Sequence, residues 1–222
     1  MTTLQLDHLY VFAVWMLGAR EAAFEAVCRA TEHAPGDPTR QLSQLVMDLV
    51  AAEKPSQVDR LAELDDLLRL DTTVPVDLEH PLLQGDDRRL AVLLAELQRT
   101  CLMATVRGIP SARRAVFILR HVLGLPLAVC ANIMVSTESA VRVLEMRARQ
   151  AIDKYLSPRC EHLDRHNSCH CAARLGGALD RSFVSWPTYA EFVDQPPRLH
   201  TSVESLYAAL PRVRLPVLRP QP

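Results

Sequence analysis

The sequence predicts an all-α protein of two small helical domains, followed by a Cys/His-rich extension and a mobile Pro-rich tail. Three observations carry that prediction. Leucine and alanine dominate, while glycine occurs only 7 times and aromatic residues make up 5% of the chain, a composition that suits helices better than sheets. Apolar residues recur three and four apart through much of the first 156 positions. Proline- and glycine-bearing stretches without that period interrupt it at 71–87 and again beyond 186. The expected organisation is therefore a helical domain at 1–70, a linker at 71–87, a second helical domain at 88–157, the extension at 158–185 and the tail at 186–222.

Residues 4–33 read as a helical hairpin, with Leu9, Phe12, Ala13, Met16 and Leu17 on one stripe, Gly18 as the break, and Phe24, Val27 and Cys28 resuming the pattern. The run Ala34-Pro35-Gly36-Asp37-Pro38 is a turn, and Leu42, Leu45, Val46 and Leu49 line a third helix. A fourth follows Pro55, with Val58, Leu61, Leu64 and Leu68 opposite the acidic face of Asp59, Glu63, Asp65 and Asp66. Asp86-Asp87 caps the next helix, whose stripe is Leu90, Leu93, Leu94, Leu97 and Cys101, and Gly108 and Pro110 end it and start another. Residues 187–222 hold seven of the 15 prolines, which predicts a mobile tail. Phe183, Trp186, Tyr189 and Phe192 stand three apart there, and Ser205 to Leu210 reads as a short amphipathic turn that docks on its own domain.

Charge and chemistry narrow the function. The net charge of −1 hides 9 Arg/Lys against 17 Asp/Glu in residues 1–100 and 16 against 9 in residues 101–222, so a nucleic-acid surface belongs to the second half. No run approaches the roughly 20 apolar residues of a bilayer span, and the N-terminus has no signal pattern, so the expectation is a cytoplasmic protein without a membrane partner. The six cysteines are then expected to be reduced. A Gly-rich phosphate loop, a GxSxG elbow and a His-Glu-x-x-His motif are all missing, which predicts a binding protein and not an enzyme.

The most informative stretch is Gly124–Leu156. A first helix is predicted from Pro126 to Met134, with Leu127, Ala131 and Met134 inward, then a short turn at Val135-Ser136-Thr137. Thr137 is placed to N-cap a second helix, Glu138 meets its positive end, and Val141, Leu144, Ala148 and Ile152 recur on the buried side. Arg142, Arg147 and Arg149 then face outward, and Ser139, Arg142, Val143 and Met146 are the candidates to meet base edges in a major groove. A tight helical hairpin with a basic surface that never touches DNA fits the same pattern.

The run Ile109-Pro110-Ser111-Ala112-Arg113-Arg114-Ala115-Val116-Phe117-Ile118-Leu119-Arg120, then Gly124-Leu125, then Ala131, Ile133, Thr137, Val141, Arg142, Arg147, Ala148 and Arg149, resembles region 4 of extracytoplasmic-function (ECF) sigma factors without a gap. The resemblance implies that residues 110–156 bind the promoter −35 element and dock on core RNA polymerase. It implies that Arg142 and its neighbours contact DNA and that Arg113 and Arg114 contact phosphates. The family usually has glycine where this chain has Val135 and leucine where it has Glu145. A carboxylate at that second position requires a partner or an outward path.

Residues 9–30 faintly resemble the opening of sigma region 2, but residues 31–70 contain no aromatic residue and carry a net negative charge, unlike a strand-melting surface. Either a shortened region 2 or an unrelated helical partner domain accounts for them. Beyond the second domain, Cys160, His162, His166, Cys169, His170 and Cys171 crowd into twelve residues. Cys160, Cys169, Cys171 and either His162 or His166 are the candidate ligands of Zn²⁺ or another thiolate-binding metal, against a loop whose thiols simply pack. Cys28, Cys101 and Cys130 lie on apolar stripes and read as core residues. The words Cys160-Glu161-His162-Leu163-Asp164 and Asn167-Ser168-Cys169-His170-Cys171 resemble a Cys-rich appendage of some ECF sigma factors, including metal-responsive ones, which generally have proline in place of Ser168.

Three functions follow as expectations. The first is a sigma-like initiation protein with promoter DNA, core polymerase and an anti-sigma or other regulatory protein as partners. The second is a metal- or redox-responsive regulatory protein on a sigma-like scaffold, and the third is a simple helix-turn-helix regulator.

Overall fold

A computed structural model of the chain describes residues 6–52, 81, 85–184 and 199–210. The expected helix after Pro55, most of the expected linker, Trp186, Tyr189, Phe192 and the end of the expected tail lie outside the described residues. Among the described residues the fold is all-α: no strand is present beyond an isolated parallel bridge between Cys160 and Cys169. In chain order the helices are α1 (Leu6–Leu17), α2 (Arg20–His33), α3 (Pro38–Ala52), α4 (Asp87–Arg107), α5 (Ser111–Phe117), a π-helical turn (Ile118–Val122), α6 (Leu127–Ile133), α7 (Glu138–Leu156), α8 (Cys171–Asp180) and α9 (Val203–Ala208). No single described helix is long and apolar enough to cross a membrane.

These helices form two compact units that do not follow chain order. The first contains described residues 6–52, 109–150 and 210; the second contains 81, 85–108, 151–184 and 199–209. The expected domain boundary at 71–87 would have separated α1–α3 from α5–α7, whereas these helices share one core.

The first unit is organised around α1. Every residue from His8 to Met16 is buried, the mark of a helix surrounded on all sides. Gly18 ends it in the left-handed region at φ +77°, which a glycine adopts without strain, and its N–H reaches Val14 O at 2.7 Å. Helix α2 buries only Ala23, Ala26, Val27 and Ala30, small residues that let it lie close to α1. Asp37 then caps α3 by accepting from Thr39 N–H at 3.0 Å and Arg40 N–H at 3.1 Å, with Pro38 in the first helical position, where its missing N–H costs nothing. Helix α3 buries Leu42, Leu45 and Val46, each leucine contributing about 1.5–3 kcal/mol relative to exposure.

What α1 and α3 leave uncovered is closed by α5, the π-helical turn and α6, which bring in Val116, Phe117, Ile118, Leu119 and Ile133. Hydrogen bonds fasten the same seam. Ser43 Oγ donates to Ile133 O at 2.7 Å, and Ser111 Oγ donates to Val50 O at 3.3 Å. Apolar patterning predicts each helix separately but not which distant helix covers it, and this is why the division into domains differs from expectation.

In the second unit Leu93 and Leu97 of α4 pack on Leu175, Ala178 and Leu179 of α8 and on Val184, with Leu90, Leu94 and Cys171 at the margin. Asp86 caps α4 through Arg88 N–H at 2.8 Å, as expected. Helix α9 is capped reciprocally by Ser202 and Ser205, and it buries Val203, Leu206 and Tyr207. The Tyr207 hydroxyl donates to Leu102 O at 2.9 Å, so the short turn expected from Ser205 docks on its own unit, as the sequence suggests.

Candidate functional site

Two arrangements of side chains stand out, one in each unit. In the first, α6 and α7 meet at 103° across four residues, 134–137. The end of α6 explains the tightness of this corner. Ser136 N–H bonds to Ala131 O at 3.0 Å and Val135 N–H to Asn132 O at 3.2 Å, the paired bonds of a Schellman ending, which requires a left-handed residue at position 135. Val135 is held there at φ +48°. A β-branched side chain disfavours that region, and because Val135 is 74% exposed, it gains little packing in return. Val135→Gly is therefore expected to stabilise the protein by about 1 kcal/mol, the relief of strain exceeding the entropy glycine adds to the unfolded chain. Thermal unfolding checks this: Tm should rise by roughly 2–4 °C, and a fall would mean the turn is not strained.

Helix α7 starts as the sequence predicts. Thr137 Oγ1 accepts from Ala140 N–H at 3.2 Å, and Glu138 stands in the first turn. Val141, Ala148 and Ile152 are fully buried along one side. On the other side Ser139, Arg142, Val143, Met146, Arg147 and Arg149 are all exposed. Among the described residues Arg142 and Arg147 have no hydrogen-bond or ion-pair partner, whereas Arg149 interacts within the molecule. Two large apolar residues, Val143 and Met146, stand open at 41% and 42% beside these cations.

Glu145 lies half-buried on the same helix and is met by two nitrogen-bearing side chains from the π-helical turn. His121 Nε2 is 3.1 Å away and Arg120 Nε 3.9 Å, while Arg120 also donates to Leu125 O at 2.5 Å. The carboxylate that stands where the resembled family has leucine is thus paired, as its burial requires.

The two arginines expected at phosphates are separated by the structure. Arg113 is half-buried, and Arg114 points inward with only 4% exposure, donating from Nη1 to Met16 O at 3.1 Å and from Nη2 to Ile109 O at 3.0 Å. Arg114 is a fastener between α1 and the start of α5, unable to reach a DNA backbone. Adjacent basic residues on a helix point in different directions, and sequence alone did not reveal which one faced the core.

The second unit holds the thiols. The chain leaves α7, and Asn167 Nδ2 ties the loop by donating to Ser157 O at 2.7 Å and Cys160 O at 3.0 Å. His162 is buried, its backbone O accepts from His200 N–H at 2.8 Å, and its Nε2 lies 3.4 Å from Cys171 Sγ. Burial lowers the pKa of His162 and so favours the neutral imidazole. Glu161, His162 and Cys171 place their ligand atoms within 4.8 Å of one another. Both carboxylate oxygens of Glu161 are occupied, one by Cys171 N–H at 2.5 Å and the other by His170 Nδ1 at 2.8 Å. Burial alone would raise the pKa of Glu161, but these hydrogen bonds hold it below the ordinary value.

Expected ligand His166 does not join the group: its ring is 86% exposed and lies 3.0 Å from Asp164 Oδ1. Cys160 and Cys169 are not in it either, and the member from outside the expected set is Glu161. Cys101 stands one turn beyond Leu97 on α4, and its thiol interacts electrostatically with Cys160, Cys169 and Cys171. Burial pushes Cys160 up to about 11 and Cys101 up to about 12, and it raises Cys171 further. Cys169 is raised by burial too, opposed by the Arg174 guanidinium to which it is hydrogen-bonded. The signal for Cys101 was its place at the end of an apolar stripe, where a thiol and an ordinary core residue look alike.

No protein-family model, curated protein or solved structure matches this chain. Among the described residues the geometry is that of an all-helical protein with an exposed cationic helix flank in one unit and a Glu161–His162–Cys171 group in the other.

Proposed function

We propose that this protein is a sigma-like transcription initiation protein. In this reading α6 and α7 are a helix-turn-helix, α7 lies in the major groove of a promoter −35 element, and the chain joins that DNA to core RNA polymerase. The observation that carries it is the flank of α7, where Ser139, Arg142, Val143, Met146 and Arg147 are open to solvent while Val141, Ala148 and Ile152 anchor the opposite side. A helix about 10–12 Å across fits a groove about 12 Å wide, and the ten residues from Ser139 rise about 15 Å, enough to follow four or five base pairs. The 103° corner lies within the range of DNA-reading helix pairs.

Support also comes from the two departures from the resembled region 4. Val135 occupies a left-handed position, the conformation a glycine serves, and Glu145 is paired with His121 and Arg120.

Co-purification with core RNA polymerase and promoter-dependent run-off transcription test the proposal. No association with core would defeat it, and tight operator binding without polymerase would make the protein a plain regulator instead. Arg147→Ala is expected to weaken all DNA sequences alike and to lower the slope of log affinity against log salt by about 1. Loss confined to promoter DNA would move Arg147 to the base-reading set.

A further inference from the structure

We infer that Glu161, His162 and Cys171 form a Zn²⁺ site with three protein ligands, a carboxylate oxygen, Nε2 and Sγ, whose fourth position is left to water. The ion fastens the loop after α7 to the start of α8. This inference is independent of the reading of α7 and concerns the second unit alone.

The three donors converge from two segments. Glu161 and His162 belong to the loop that follows α7, and Cys171 is the first residue of α8. Their ligand atoms lie within 4.8 Å of one another, whereas Cys101, Cys160 and Cys169 fall outside that group. His162 Nε2 and Cys171 Sγ are 3.4 Å apart. In a tetrahedral Zn²⁺ site with Zn–N of about 2.0 Å and Zn–S of about 2.3 Å, the edge between those two atoms is about 3.5 Å. One edge therefore already has its coordinated length, and a shift of about 1 Å by the Glu161 side chain closes the other two. The hydrogen bonds of Glu161 leave it free to ligate, because a carboxylate has about four lone-pair sites and Cys171 N–H and His170 Nδ1 take two. These same bonds aim the carboxylate, as hydrogen-bond partners outside the coordination sphere do at metal sites.

The donor set and the charge both suit Zn²⁺. This ion takes thiolate sulfur, imidazole nitrogen and carboxylate oxygen together, and sites with three protein ligands keep the fourth position for water. His162 is 4% exposed while the Glu161 side chain is 23% exposed, so water enters from the carboxylate side. One carboxylate and one thiolate leave the centre neutral, which lowers the cost of its partial burial. Burial keeps His162 neutral and hydrogen bonds keep Glu161 ionised, the states in which each can ligate. Cys171 gives up its S–H proton to solvent as the S–Zn bond forms, and no electron is transferred. Helix α8 packs Leu175 and Leu179 on Leu93 and Leu97 of α4, so an ion at its first residue secures the core of this unit.

The test uses the full chain, purified reduced, loaded with Zn²⁺ and desalted, and in parallel stripped and titrated with Co²⁺. One Zn²⁺ per chain is expected, and Co²⁺ should give a tetrahedral spectrum with a thiolate-to-metal band. Cys171→His should keep stoichiometric metal and lose that band entirely, since Cys171 is the one sulfur ligand. Glu161→Gln retains an oxygen to accept from Cys171 N–H, which preserves the start of α8, and is expected to lower Zn²⁺ affinity at least tenfold with the band still present. Cys101→Ser, Cys160→Ser and Cys169→Ser should each retain the metal and the full band. The proposal is overturned if the wild-type chain holds no stoichiometric Zn²⁺, if the band survives Cys171→His, if Glu161→Gln binds Zn²⁺ as tightly as the wild type, or if any of the three serine variants weakens the band.

Discussion

Arg114→Ala is expected to destabilise the protein by about 3 kcal/mol, lowering Tm by roughly 6–12 °C. The guanidinium is buried and bridges Met16 O and Ile109 O, so truncation leaves carbonyls without these donors and a cavity where the side chain stood. Arg114→Met refines the measurement: it restores most of the volume but none of the hydrogen bonds, and should recover only part of the loss. Were Arg114 a phosphate contact, as its neighbourhood in the sequence suggests, the alanine variant would unfold like the wild type and lose DNA affinity. Thermal or denaturant unfolding therefore separates the two roles without any DNA present.

The opposite pattern is expected for Arg142→Ala. Arg142 is exposed and has no partner among the described residues, so its removal should leave Tm unchanged. If it meets a base edge, the loss is about 1–3 kcal/mol on promoter DNA, roughly 5- to 150-fold in Kd, with a much smaller change on random sequence. Binding isotherms on both DNAs at one fixed salt concentration decide the point. Equal losses would make Arg142 a backbone contact and shift base reading to Ser139, Val143 and Met146.

These two arginines also show how far sequence reading reaches. The helices were legible because each has its own apolar period: Leu9, Phe12 and Met16 in α1, Leu42, Leu45 and Val46 in α3, and Val141, Ala148 and Ile152 in α7. The caps at Asp86 and Thr137 were legible because a cap is a local contact, two or three residues long. Partnerships across the chain were not. Nothing near Arg114 in sequence points to Met16 O, 98 residues away. Position 145 lay between these cases. Its carboxylate required a partner on physical grounds, and His121 and Arg120 filled that role from 24 and 25 residues upstream. His166 failed as a candidate for a related reason: composition marks a ring that can ligate, but only the fold decides whether it turns toward solvent.

Interleaving of the first unit carries a cost during synthesis. The nonpolar flanks of α1 and α3 emerge from the ribosome with their eventual cover still untranslated, since α5, the π-helical turn and α6 come from residues 111–133. At roughly 5–20 residues per second, about 4–16 s pass between completion of α3 and the arrival of Ile133. Through that interval Leu9, Phe12, Leu42 and Leu45 have only the nascent three-helix stub to shelter them, which leaves the early chain with apolar surface open to water.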